Sequence, residues 1–259
     1  MIVHVVTAIV LLAPSSALAA RPPKGTEVEP QSITATGAGR NEVRLKMADM
    51  LIDKGQTTEA RTLLDAAIAE GGAPRGEIEL LQGKALAVEG LSGAALEQLE
   101  TARKAMPRDP RPLRAIGLLQ ADTGHVPEAL ISFQRATELD DADAATWNNY
   151  GFLLMSDKRY EDAREALERA VTLDGSVPRY RRNLGFALAA LGRDREALAA
   201  LRGAGPEADA QTDLALAYEM SGQDAKAIEH YGAALAADDS QDAARAGLER
   251  LTHPVEETP

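Results

Sequence analysis

Asp140, Asp141 and Asp143 stand within four positions of one another, and clustered carboxylates of this kind could open a calcium loop. Such a loop also needs a glycine at its sharp turn and a closing bidentate glutamate, and neither follows at the required distance. Helix capping is the simpler role for these aspartates. The four histidines are scattered. His4 lies in an apolar amino-terminal run, His125 in a turn, His230 on a helix and His253 in the tail, none with a partner at metal-ligand spacing. No G-x-x-x-x-G-K-[ST] phosphate loop and no G-x-S-x-G elbow occurs. The absence of cysteine removes thiolate catalysis, cysteine-ligated zinc, disulfides and diacylglycerol attachment. The expectation is therefore a non-enzymatic protein without cofactor or metal.

The side chains best suited to recognition are of another kind. Arg111, Arg114, Arg179 and Arg182 can fork onto carboxylates. Asn148, Asn149 and Asn183 carry donor and acceptor together and can pair with an extended backbone. Leu118, Phe152 and Phe186 offer apolar area, about 1.5–3 kcal/mol for each phenylalanine if fully covered. What would bring them together is a repeat.

The stretch NNYGFLL (148–154) returns as RNLGFAL (182–188), an offset of 34 residues. Stepping from Gly151 and Gly185 along the chain finds Ala48, Gly83, Gly117 and Ala215. Twelve residues after each small residue comes an alanine: Ala60, Ala95, Ala129, Ala163, Ala197 and Ala227. Four further on stands a large apolar residue: Leu64, Leu99, Phe133, Leu167, Leu201 and Tyr231. Three beyond that is again an alanine: Ala67, Ala102, Ala136, Ala170, Ala204 and Ala234. Five before the first alanine sits glycine in every unit but one, at 55, 90, 124, 192 and 222, with Lys158 as the exception.

Each unit thus reads as two helices joined by a short turn. Glycine just past a helix end adopts the left-handed conformation without a Cβ penalty, so Lys158 is expected in a strained turn. The small residues mark where helix axes approach most closely, and the large residue one turn along fills the space between them. Asp143 or Asp141 before the helix of Trp147, and Pro110 and Pro178 in first turns, support the boundaries.

Composition agrees. The 259 residues are 45% hydrophobic and 26% charged but only 3% aromatic. The core must then be built from alanine and aliphatics, which favours packed helices over sheets. A net charge of −12 argues against nucleic acid, whose phosphates would repel such a chain. It names no other partner.

Residues 1–19 read as a secretory signal: Ile2 to Ala13 is apolar, Pro14-Ser15-Ser16 breaks the run, and Ala17-Leu18-Ala19 supplies small residues for cleavage. The run is short for a bilayer span, and it lacks the usual Lys or Arg ahead of it. Residues 20–40, with Pro22, Pro23, Gly25 and Pro30, read as a flexible tether. A periplasmic or envelope location is expected, with no membrane span after cleavage. The array is expected over 41–251, in units near 41–75, 76–109, 110–143, 144–177, 178–207 and 208–241, with a capping helix at 242–251 and a disordered tail at 252–259. The fifth unit lacks four residues around Gly203-Ala204-Gly205-Pro206, which predicts a lost helical turn there.

The pattern resembles the tetratricopeptide repeat (TPR) family. Its signature falls best on Trp147, Tyr150, Gly151, Leu154, Ala163, Leu167 and Ala170. Elsewhere the position of Trp147 holds Arg44, Glu79, Leu113, Arg181 and Gln211. The resemblance implies an all-α, right-handed superhelical solenoid of six helical hairpins plus a cap. It also implies a concave groove, lined by the first helices, for extended protein or peptide segments. Arg111, Arg114, Leu118, Asn148, Asn149, Phe152, Arg179, Arg182, Asn183 and Phe186 fall on its lining, which points to acidic or C-terminal partner segments. The competing assignment makes both phenylalanines inter-repeat core and the arginines an edge paired with nearby carboxylates. Chaperone-binding relatives carry Lys and Asn where this chain has Arg114 and Leu118, so that specificity is not implied. The chain is also similar to envelope TPR proteins of tight-adherence pilus assembly and to secretin pilotins, although those are usually lipoproteins and this chain has no acceptor cysteine. The alternatives are a permanent structural subunit and a regulatory accessory of a cell-wall enzyme.

Overall fold

A computed structural model describes residues 37–253. The signal reading, most of the tether and most of the tail lie outside them. The described residues form thirteen α-helices and no strand. Six hairpins follow one another: α1 (Gly37–Asp53) with α2 (Thr57–Glu70), α3 (Arg75–Val88) with α4 (Ser92–Ala105), and α5 (Pro110–Asp122) with α6 (Val126–Leu139). Then come α7 (Ala144–Ser156) with α8 (Tyr160–Leu173), α9 (Pro178–Ala190) with α10 (Asp194–Arg202), and α11 (Glu207–Met220) with α12 (Asp224–Ala237). A thirteenth helix, α13 (Asp242–Thr252), closes the array. The architecture is all-α and superhelical. α1 begins at Gly37, so residues 37–40, assigned to the tether from sequence, are its first turn.

The repeat's small residues do what their size dictates. A Cβ on Gly185 would lie 2.5 Å from Leu201 Cγ, and one on Gly151 would lie 2.6 Å from Leu167 Cγ. Each first helix thus rests against the large residue of its own second helix. All six first alanines are wholly buried, as are the second alanines of five units. Ala204 is the exception. α10 has 9 residues where the second helices of the other units have 14, and Ala204 lies beyond its end in the turn before Pro206. Arg181 leans over that truncated end, its Nε donating to the Gly175 carbonyl at 3.1 Å. A Cβ on Gly203 would meet its Cδ at 3.0 Å. An arginine thereby fills, with its stem, volume that a helical turn supplies elsewhere.

The turns within the hairpins share one geometry. Gly55, Gly90, Gly124, Gly192 and Gly222 have φ between 72° and 81°, and Lys158 occupies the same place at φ 61°. It is the only non-glycine with positive φ among the described residues. Asp109 caps α5 and Asp143 caps α7, each accepting backbone N–H bonds, and Pro110 and Pro178 open their helices. At the far end Ala244 and Gly247 of α13 are buried, with Gly247 seated on the Tyr231 ring.

Candidate partner-binding face

Numbering each unit so that Gly151 and its equivalents take position 8, positions 2, 5 and 9 of the first helices fall on one side, roughly a quarter turn from the hairpin's own interface. Along position 9 stand Leu118, Phe152, Phe186 and Leu216. Leu118 is 43% exposed, and the other three are partly exposed. None of the four belongs to a core cluster or packs against one, whereas neighbouring Trp147, Tyr150 and Met155 do. This is an apolar row that the fold's own interior does not use.

The polar residues beside the row behave differently. Arg111 lies across Glu77, donating at 2.8 and 2.7 Å, and also binds Asp109. Those two carboxylates hold its guanidinium protonated well beyond its ordinary range. Arg114 donates to Asp143 at 2.6 Å. Burial pushes the Asp143 carboxyl up, but the Thr146 hydroxyl, Arg114 and two backbone amides outweigh it and leave it below the usual carboxylate range. Arg182 donates to Asp213 at 2.6 Å; there burial prevails and the carboxyl is raised. Asn183 donates to the Asn148 carbonyl oxygen at 2.8 Å, and Asn148 is 2% exposed.

These bonds form a series. Lys84 of α3 reaches Asp49 and Asp53 of α1, and Arg111 of α5 reaches Glu77 of α3. Arg114 of α5 reaches the cap of α7, Asn183 of α9 reaches Asn148 of α7, Arg182 of α9 reaches Asp213 of α11, and Arg250 of α13 reaches Glu219 of α11. Every pair of successive first helices, the cap included, is tied by a side-chain polar bond. The bonds of Arg111, Arg114 and Arg182 match the competing assignment weighed from the sequence, an arginine edge paired with nearby carboxylates. The signal was available at position 2, where Glu77 precedes Arg111 by one unit.

What remains is Leu118, Phe152, Phe186 and Arg179, together with Asn149, whose Oδ1 accepts a long bond from the Asn148 side-chain amide at 3.4 Å. Arg179 is exposed and makes no ion pair among the described residues; its guanidinium lies 5.6 Å from the Tyr180 ring centroid. The clustered aspartates are structural. Asp143 caps α7, Asp140 accepts from Ala142 N–H, and Asp141 faces Arg169. His230 shares a hydrogen bond with Gln211 Oε1 at 2.7 Å and stacks on Tyr218. Among the described residues no group of three or more His, Asp or Glu could hold a metal.

A solenoid of helical hairpins with a lined inner face is the architecture of a repeat protein. The comparisons make the family specific. Two family models, both described as Tetratricopeptide repeat, match residues 45–110, 80–145 and 144–176, together just over half of the chain. The chain belongs to the tetratricopeptide repeat family. Among curated proteins it is similar to Protein O-mannosyl-transferase TMTC1 of Mus musculus, 30% identical over 139 residues, which is 52% of this chain and 14% of that protein. Among solved structures, pilF of Pseudomonas aeruginosa aligns with a TM-score of 0.61 at 14% identity, covering 81% of this chain and 97% of that one. YrrB, described as a TPR protein with an unusual peptide-binding site, aligns at 0.56 with 20% identity, covering 71% and 96%. At those identities the likeness is one of fold.

Proposed function

We propose that this chain is a non-enzymatic protein-interaction scaffold whose inner face takes an extended partner segment along Leu118, Phe152 and Phe186. The observation that carries this is the row itself: apolar side chains at one repeat position, partly open and excluded from the core. Covering both phenylalanines would contribute about 1.5–3 kcal/mol each. After association costs, that corresponds to micromolar affinity, about −8 kcal/mol. Arg179 and Asn149 supply the polar contacts, since the other arginines are engaged by the chain's own carboxylates. A single open guanidinium beside an apolar row suits a segment bearing one acidic side chain or a terminal carboxylate. The description of YrrB as peptide-binding supports this use of the fold. The apolar amino terminus supports export to the cell envelope, and the resemblance of the sequence to envelope TPR proteins supports a place in pilus or secretion-system assembly.

The test uses a partner segment once one is mapped. Phe152→Ala with Phe186→Ala should weaken binding at least about tenfold, and Arg179→Glu should weaken it in a salt-sensitive way. Both variants should melt close to the parent. Undiminished binding by both would overturn the assignment.

A further inference from the structure

The first hairpin is joined to the second unlike any other pair of units. Its connection runs Gly71-Gly72-Ala73-Pro74, with Gly71 at φ 76° and ψ 168° and Gly72 at φ 79°. The Gly71 conformation is open essentially to glycine alone. Among the described residues no other connection between hairpins uses positive φ. A Cβ on either glycine would meet nothing within 4 Å, so both serve the course of the backbone and not its packing. Asn41, 1% exposed, donates its side-chain N–H to the Gly71 carbonyl at 2.8 Å and ties that residue to α1. The pivot therefore falls on Gly72.

Packing and polar bonds divide at the same place. Leu45, Ile52 and Leu64 with three buried alanines give the first hairpin a core of its own, to which α3 adds Leu81 and Ala85. From α6 to α13 the buried side chains instead form one continuous cluster. Among the described residues, every side-chain hydrogen bond from the first hairpin to the second is also an ion pair: Lys84 with Asp49 and with Asp53, the latter at 3.1 Å, and Arg61 with Glu89 at 2.5 Å. The junction of α7 and α9 carries the neutral, nearly sealed bond of Asn183 to Asn148. Exposed ion pairs hold weakly and are screened by salt, and an end unit has a neighbour on one side only. Lys84 and Asp49 both stand at position 9, in line with Leu118, Phe152 and Phe186. The apolar row thus ends, toward the amino terminus, in an ion pair between the first two units.

We propose that the first hairpin is a hinged gate at the end of the inner row, turning as a body about Gly72 and latched by Lys84 on Asp49 and Asp53. Glycine accepts the rotation because both signs of φ are open to it, and hinges are a few loop residues of this kind. The motion uncovers Leu81 and Ala85, a smaller apolar face than the continuous core elsewhere would lose, so this junction yields first. It also carries two carboxylates away from Lys84 and frees an ammonium at the end of the row. The effect of that charge on a partner rests on the reading of the row as a binding face. The hinge does not, and its test needs no partner, so either can fail without the other.

The chain has no cysteine, so paired labels can be placed at will. Glu59, Glu128 and Glu196 are exposed and share one register position in α2, α6 and α10. Spin labels on Glu59→Cys with Glu128→Cys span the hinge, and those on Glu128→Cys with Glu196→Cys span as many units without it. Double electron-electron resonance on the full chain should show two populations for the first pair, the displaced one growing with salt. Lys84→Met, which keeps the apolar stem and removes the charge, should raise the displaced population about two- to fivefold. The second pair should give a single population throughout. Hydrogen exchange should find the amides of α1 and α2 still protected under the same conditions, because the unit turns without unfolding. A single population for the first pair, or a displaced one that Lys84→Met leaves unchanged, overturns the proposal. So does a displaced population accompanied by loss of protection in both helices, which is fraying of an end unit and not rotation about a hinge.

Discussion

Asn183 of α9 donates its side-chain N–H to the carbonyl oxygen of Asn148 on α7, 2.8 Å away, joining two successive first helices through a pair of carboxamides. Asn148 is almost sealed, so neither group can be removed without leaving the other's polar atom short of a partner. We predict that Asn148→Ala and Asn183→Ala each cost about 1–2 kcal/mol and that the double variant costs less than their sum. A double-mutant cycle in urea, with a coupling of about 0.5–1.5 kcal/mol, checks this. Strict additivity would show that the bond does not tie the units.

Lys158 stores backbone strain that the five equivalent glycines avoid. Lys158→Gly should therefore stabilise the chain by about 0.5–1 kcal/mol, seen as a rise of about 1–4 °C in melting temperature. Gly124→Ala, the reverse change at an equivalent turn, should lower it.

Close approach at position 8 makes the opposite prediction. Alanine at Gly185 places a Cβ against Leu201 Cγ and should cost about 1–3 kcal/mol by overpacking. Leu201→Ala in the same chain should recover part of the loss, because the two substitutions relieve one another. Thermal melts of the three variants decide it.

His230 gives a pH dependence. Burial lowers its pKa from the ordinary value, against the attraction of Glu229 and Asp194 and with the repulsion of Lys226; Tyr218 and Gln211 enclose the ring. The unfolded chain then binds the proton more readily than the folded one, so stability falls as pH drops below about 6.5. His230→Gln should flatten the stability profile between about pH 5 and 7. Denaturation midpoints across that range check it, and an unchanged slope would count against the burial.

The hairpins were legible in the sequence because small and large residues recur at fixed steps, and no other packing explains Gly151 with Leu167 and Gly185 with Leu201 together. The strained turn at Lys158 was legible for the same reason, as a gap in a row of glycines. The lost turn around Gly203-Ala204-Gly205-Pro206 was legible as a gap in the spacing, while the partial exposure of Ala204 beyond the helix end was not. Spacing alone does not say whether a deletion is absorbed inside a helix or at its end, and Pro206 ended it. For the site residues the sequence left two assignments open, free groups along a groove or an edge paired with nearby carboxylates. Arg111, Arg114 and Arg182 each needed a carboxylate from a neighbouring unit or from a cap to be recognised as taken, and such pairings depend on side-chain reach rather than period.

The central claim is that the row of Leu118, Phe152 and Phe186 holds a partner segment, and site-specific photo-cross-linking tests it most directly. A photoreactive phenylalanine analogue at Phe186, at Phe152 and, as an outward control, at Glu165 of α8 would be irradiated in cells that express the chain natively, and adducts mapped by mass spectrometry. The account predicts adducts from both inner positions to one common segment, apolar with an acidic side chain or terminal carboxylate, lost on Arg179→Glu and absent at Glu165. Adducts at Glu165 with none at Phe152 or Phe186 would contradict it and move the binding surface to the outer helices.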